Sequence, residues 1–81
     1  MSRFEYDQES GAMYVRVRDG EIEETLEIGG GCYLDIDHDG YVVGLECLSL
    51  QEYADLVTRS GGVLELPERI EGPATFELNP I

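Results

Sequence analysis

The chain has no lysine. Its five basic residues are all arginine (Arg3, Arg16, Arg18, Arg59 and Arg69), set against 18 acidic residues in a total of 81, for a formal net charge of -13. So negative a field repels phosphate backbones, which argues against nucleic acid as a partner. Histidine is nearly absent too. His38 stands alone, with no Ser-His-Asp or Cys-His grouping, no phosphate loop and no helical metal motif around it, so the expectation is a protein that is not an enzyme and carries no cofactor. Apolar runs are only a few residues long, too short to span a membrane. The opening "MSRFEYDQES" has no apolar signal core. The expected location is therefore cytoplasmic, and the only two cysteines, Cys32 and Cys47, are expected reduced. Repeats, linkers and low-complexity segments are also missing, and the length allows one domain, 1–81.

What remains is globular in composition, with 42% apolar and 9% aromatic residues, enough to exclude disorder. A chain this short buries only about 60% of its unfolded surface, so its core is thin and pairing with another subunit would help it. The acidic excess has three readings: solubility, a basic protein partner met through charge complementarity, or cation binding.

Short alternating segments dominate. "FEY" starts a strand with Phe4 and Tyr6 on one face, and "DQESGA" breaks it. In "AMYVRVR", Met13, Val15 and Val17 face one way while Tyr14, Arg16 and Arg18 face the other. Asp19-Gly20 reads as a hairpin turn. "EIEETLEI" carries Ile22, Leu26 and Ile28 in period two and ends at three glycines, so it reads as a strand. "CYLDID" and "VVGLECLSL" flank another Asp-Gly turn. A helix follows, with Ser49 and Glu52 as a capping box, Leu48 and Tyr53 as the staple, and Leu50, Tyr53, Ala54 and Val57 as the apolar stripe. Gly61 or Gly62 ends it. "VLELPERI" reads as a short edge strand stopped by Pro67, and a last strand is expected around Thr75 to Leu78.

One stretch invites a different chemistry. "DIDHDGYVVGLE" places Asp35, Asp37 and Asp39 at the first, third and fifth positions of a calcium loop, Gly40 at the sixth and Glu46 at the twelfth. Such a loop needs a flanking helix on each side, and the glycines upstream and the alternating strand downstream supply neither. As a hairpin with Asp39-Gly40 as a two-residue turn, the same stretch pairs Ile36 with Val43, Leu34 with Leu45 and Cys32 with Cys47 on one face. Asp37 then opposes Val42, Asp35 opposes Gly44 and Tyr33 opposes Glu46 on the other. A slip of one residue would put Val43 and Leu45 on the wrong side, so the apolar pattern selects this register. Weak divalent-cation binding at the Asp35–Asp39 turn remains as an alternative. The same count sets Cys32 and Cys47 on a hydrogen-bonded pair, the wider kind, which favours packed thiols over a disulfide.

"YDQESGAMYVRVRDGEIEET" resembles an opening in which Y-D-x-E-x-x-A-x-Y is followed by an aliphatic residue, arginine and a second aliphatic residue. "LDIDHDGYVVGLECL" resembles a segment with V-D-x-D-x-x-G-x-V-V-G-x-E at its heart. Together they are similar to the small prokaryotic family called domain of unknown function 2283, over about Phe4 to Leu50, with "VVGLE" as the most specific part. The resemblance implies a hairpin without a need for all three aspartates, and packing roles for the cysteine positions. It implies no functional residues and no cofactor. It also raises an antitoxin-like role, as a neutralising partner of a basic protein.

The expected fold is α+β: an antiparallel β-meander of four to five strands (4–50), then one short helix packed on one face and an irregular C-terminal extension (51–81). The helix covers the face of Met13, Val15 and Val17. The opposite face carries Tyr14, Arg16, Tyr33, Val42 and Leu48, a mixture too apolar for a fully solvated surface, and these are the candidate interface residues of a homodimer.

Overall fold

A computed structural model describes residues 3–70 of the chain. Five strands and one helix follow in order: β1 (Arg3–Tyr6), β2 (Met13–Arg16), β3 (Glu24–Gly29), β4 (Cys32–Ile36), β5 (Val42–Cys47) and α1 (Leu50–Arg59). All strand pairs are antiparallel, in one open sheet of order β1-β2-β5-β4-β3. The α+β architecture with a single helix is the one expected. The expected strand at Thr75 to Leu78 lies outside the described residues.

The route of the chain differs at one turn. Asp19-Gly20 does not close a hairpin, because β2 pairs with β5 rather than β3. The link 17–23 instead crosses the turn end of β4 and β5. It is held there by the Val17 and Arg18 N–H groups, which donate to the Val43 carbonyl at 2.8 and 3.3 Å, and by Glu23 N–H, which donates to the Ile36 carbonyl at 2.8 Å. Local turn chemistry gives a bend there, but β2 satisfies its ladder against residues 28 to 34 positions further along the chain.

The β4–β5 register agrees with the sequence below the turn: Cys32 opposes Cys47, Tyr33 opposes Glu46, Leu34 opposes Leu45 and Asp35 opposes Gly44. Above that point it slips, and Ile36 opposes Val42 rather than Val43. The turn is the cause. Asp37 N–H donates to the Tyr41 carbonyl at 2.9 Å and Gly40 N–H donates to the Asp37 carbonyl at 3.1 Å, leaving a three-residue loop, 38–40. Gly40 has φ +88, while no non-glycine residue among those described has positive φ. A two-residue turn of the expected type needs positive φ at Asp39 as well, so it does not form. The extra loop residue is compensated by a β-bulge at Val43. Val43 is fully buried beneath the 17–23 link, and Val42 turns into the core.

That core lies between the sheet and α1. It comprises Met13, Cys32, Leu34, Ile36, Val42, Leu45, Cys47 and Leu56, with Val15, Leu26 and Tyr53 packed at its margin. The helix starts at Ser49, whose hydroxyl oxygen accepts from Glu52 N–H at 3.2 Å and whose hydroxyl donates to the Glu52 carboxylate. It ends at Ser60, followed by Gly61 at φ +82. Its buried face is rotated from the expected stripe. Leu56 is the buried helical residue, flanked by Tyr53 and Val57, while Leu50 and Ala54 are exposed. Residues 53, 56, 57 and 60 follow helical spacing, and buried Ser60 fits because its hydroxyl donates to the Leu56 carbonyl at 2.9 Å. Burying a leucine such as Leu56 contributes about 2 kcal/mol.

"VLELPERI" forms no strand. Apart from one bridge between Arg69 and Tyr41 it runs as irregular chain along the sheet, with Leu64, Leu66 and Ile70 against the core. No helix among the described residues is long and apolar enough to cross a membrane.

Candidate interaction face

The helix covers one side of the sheet. The ladder registers arrange the other side as two rows running across all five strands. One row reads Arg3, Arg16, Gly44, Asp35 and Thr25; the other reads Glu5, Tyr14, Glu46, Tyr33 and Glu27. The first is cationic at its β1–β2 end, and the second carries three glutamates separated by two tyrosines.

At the centre sits a polar cluster. Asp35 is only 8% exposed, and both its carboxylate oxygens are engaged. Tyr14 donates its hydroxyl to Oδ2 at 2.9 Å, and Thr25 donates to Oδ1 at 2.6 Å. Gly44 makes room for this arrangement, since a Cβ there would overlap the Tyr14 phenol. Burial, reinforced by the hydrogen bond to Asp35, pushes the Tyr14 phenol well above its ordinary value of 10.0. Tyr14 thus reaches across β5 to hold β2 against β4, with the Arg16 guanidinium 5.8 Å from its ring centre. No buried side-chain polar atom among the described residues lacks a partner.

The candidate interface residues divide. Tyr14, Arg16 and Tyr33 stand half-buried on this face, as expected. Leu48, opposite Gly31, lies two ladder pairs beyond Tyr33–Glu46 and is 49% exposed. Val42 does not belong to the face. It is 2% exposed and in the core, because the bulge at Val43 reverses the direction of every residue between it and the turn. The Asp35–Tyr14–Thr25 cluster was not read from the sequence. The opposition of Asp35 to Gly44 hinted at it, since a glycine beside an in-strand acid leaves space for a third side chain. The β2–β5 and β3–β4 registers were needed to supply Tyr14 and Thr25.

The aspartates of the calcium-like stretch point to different tasks. Asp35 is bound within the polar cluster. Asp37 accepts from the Asp39 and Tyr41 N–H groups through Oδ1, both at 2.9 Å, and so braces the loop from inside. Asp39 is exposed at the tip. No three acidic, histidine or cysteine side chains among the described residues are grouped to hold a metal ion. Nearby, the Arg18 guanidinium stacks on the Tyr41 ring at 4.0 Å.

A groove of about 520 Å³ opens on the helix side, between Val15, Val17, Leu45 and the 64–68 segment. Arg18 and Glu68 stand at its rim, 3.9 Å apart. The rest of its lining is aliphatic apart from Tyr53.

An open antiparallel sheet with the helix on one face and, among the described residues, a patterned and unoccupied opposite face defines the class: a small α+β protein. The chain belongs to the family described as "Protein of unknown function (DUF2283)", which matches residues 3–50, the five strands and their connections. No curated protein and no solved structure matches it.

Proposed function

We propose that the protein is a non-catalytic interaction module of the cytoplasm that pairs with a second copy of itself through the sheet face opposite the helix. The observation that carries this reading is the pair of opposed rows. A two-fold axis lying parallel to the rows, and between them, sets the arginine-bearing row of one copy against the glutamate-and-tyrosine row of the other. The face is then complementary to itself, as a symmetric dimer requires. Tyrosine and arginine are the residue types that anchor interfaces. The free thiols of Cys32 and Cys47 suit a reducing compartment.

Strand spacing and rise give the face a footprint of about 500 Å² per copy. A total near 1,000 Å² belongs to weak, reversible association. Sedimentation equilibrium from micromolar to millimolar protein is the test. A dimer should form across that range, Arg16→Glu should weaken it, and Arg16→Glu combined with Glu46→Arg should recover it. A wild-type chain that stays monomeric throughout sinks the proposal.

The second reading, a neutralising partner of a basic protein, is favoured by the exposed acidic residues Glu21 and Glu23 just before β3 and Glu24 and Glu27 within it, β3 being an edge strand among the described residues, together with the net charge of -13. It predicts a heteromer with a basic companion on purification from the native source.

A further inference from the structure

Cys32 and Cys47 oppose each other across β4 and β5, fully buried beneath α1. The phase of the ladder decides what that opposition permits. Leu48 N–H donates to the Gly31 carbonyl at 3.0 Å, so Gly31 and Leu48 are a hydrogen-bonded pair. The next pair inward, Cys32–Cys47, is therefore non-hydrogen-bonded. A two-residue turn would have given the opposite phase. The three-residue loop and the Val43 bulge together keep Cys32 opposite Cys47 while exchanging wide pairs for close ones. Close pairs hold their Cα atoms about 4.5 Å apart. That separation lies within the range of about 4.4–6.8 Å that a disulfide spans. The two sulfurs sit 2.8 Å apart, and the Cys32 thiol also reaches the Glu52 carbonyl of α1 at 3.6 Å.

We propose that Cys32 and Cys47 form an oxidisable dithiol, which closes to a cross-strand disulfide by exchange with a low-molecular-weight disulfide and ties β4 to β5 under the helix. One cysteine thiolate attacks the reagent's S–S bond, forming a mixed disulfide and expelling one reagent thiolate. The second cysteine thiolate attacks the protein-side sulfur of that mixed disulfide, forming the Cys32–Cys47 bond and expelling the second reagent thiolate. Two cysteine thiols are oxidised, the reagent is reduced to two thiols, and the cysteine protons pass to the expelled thiolates. Burial under α1 keeps the pair from reagents while the helix is docked, so exchange runs through opening of α1. Burial, aided by the neighbouring Cys32 sulfur, also holds the Cys47 thiol well above the usual thiol range, which slows exchange further.

The experiment removes the barrier of access. The full chain is unfolded in urea and refolded in a glutathione buffer dominated by the oxidised form. It is then quenched with acid and weighed intact under non-reducing conditions. The expected product is a single chain lighter than the reduced protein by two hydrogen masses, with no glutathione attached and with a higher urea midpoint that reductant reverses. Chains with two free thiols, glutathione adducts or covalent dimers overturn the proposal, as does an oxidised chain with a lower urea midpoint.

Discussion

Replacing Tyr14 by phenylalanine removes one oxygen and leaves the ring over Gly44 in place. The loss falls on Asp35, which is 8% exposed and takes hydrogen bonds from Tyr14 at 2.9 Å and Thr25 at 2.6 Å. A hydrogen bond to a charged group contributes about 1.5–3 kcal/mol, and a buried acceptor stripped of its donor recovers little from water. Tyr14 is only half-buried, so we take about 2 kcal/mol. In a domain of this size each kcal/mol shifts the melting temperature by about 4–8 °C. Tyr14→Phe should thus melt about 8–16 °C lower, measured by far-ultraviolet circular dichroism at one fixed protein concentration, because association adds to apparent stability. If the cost is an orphaned carboxylate, removing the carboxylate as well should relieve it: Tyr14→Phe/Thr25→Val/Asp35→Val should recover most of the loss.

The same residue gives a pH signature. The Tyr14 phenol titrates above its ordinary value of 10.0 in the folded protein, so the native state holds that proton more tightly than the unfolded chain does. The associated stability is complete below pH 10 and declines as pH climbs beyond it. The gap between wild type and Tyr14→Phe should therefore narrow above pH 10. A Tyr14→Phe chain within about 0.5 kcal/mol of wild type, the range of an ordinary surface change, refutes the account. So does a triple variant no more stable than Tyr14→Phe alone.

Two further outcomes follow from the loop and the bulge. Val42→Thr should cost about 1–3 kcal/mol in urea unfolding, because it puts a hydroxyl where the side chain is 2% exposed. Leu48→Thr, at 49% exposure, should stay within about 0.5 kcal/mol, and equal costs at the two sites would contradict the bulge. Millimolar calcium should leave the melting temperature unchanged, since Asp35 and Asp37 already spend oxygens on Tyr14, Thr25 and loop N–H groups. A rise on adding calcium, reversed by chelator, would show that the loop rearranges to bind the ion.

Much was legible in local pattern. Alternation marked all five strands, and Ser49 with Glu52 marked the helix start. The apolar faces of "CYLDI" and "VVGLEC" selected the pairing of Leu34 with Leu45 and Cys32 with Cys47. These signals are carried by residues near one another in the chain, where period and capping leave few alternatives. The candidate face was legible only in part. Tyr14, Arg16 and Tyr33 follow from alternation within their own strands, whereas Val42 does not, because the length of the loop after Asp37 decides its side.

The sequence by itself thus determined which segments extend, where the helix begins and which face each strand residue takes while the alternation is unbroken. Only the tertiary structure decided that β2 lies beside β5, that Leu56 rather than Leu50 faces the sheet, and that Cys32 and Cys47 form a close pair. Each of these depends on a contact between distant parts of the chain. The β2–β5 ladder gathers Tyr14, Gly44 and Asp35 into one cluster. The packing of α1 against β4 and β5 selects among several helical stripes of similar apolarity. The three-residue loop and the Val43 bulge together set the phase of the ladder, which no count along a single strand contains.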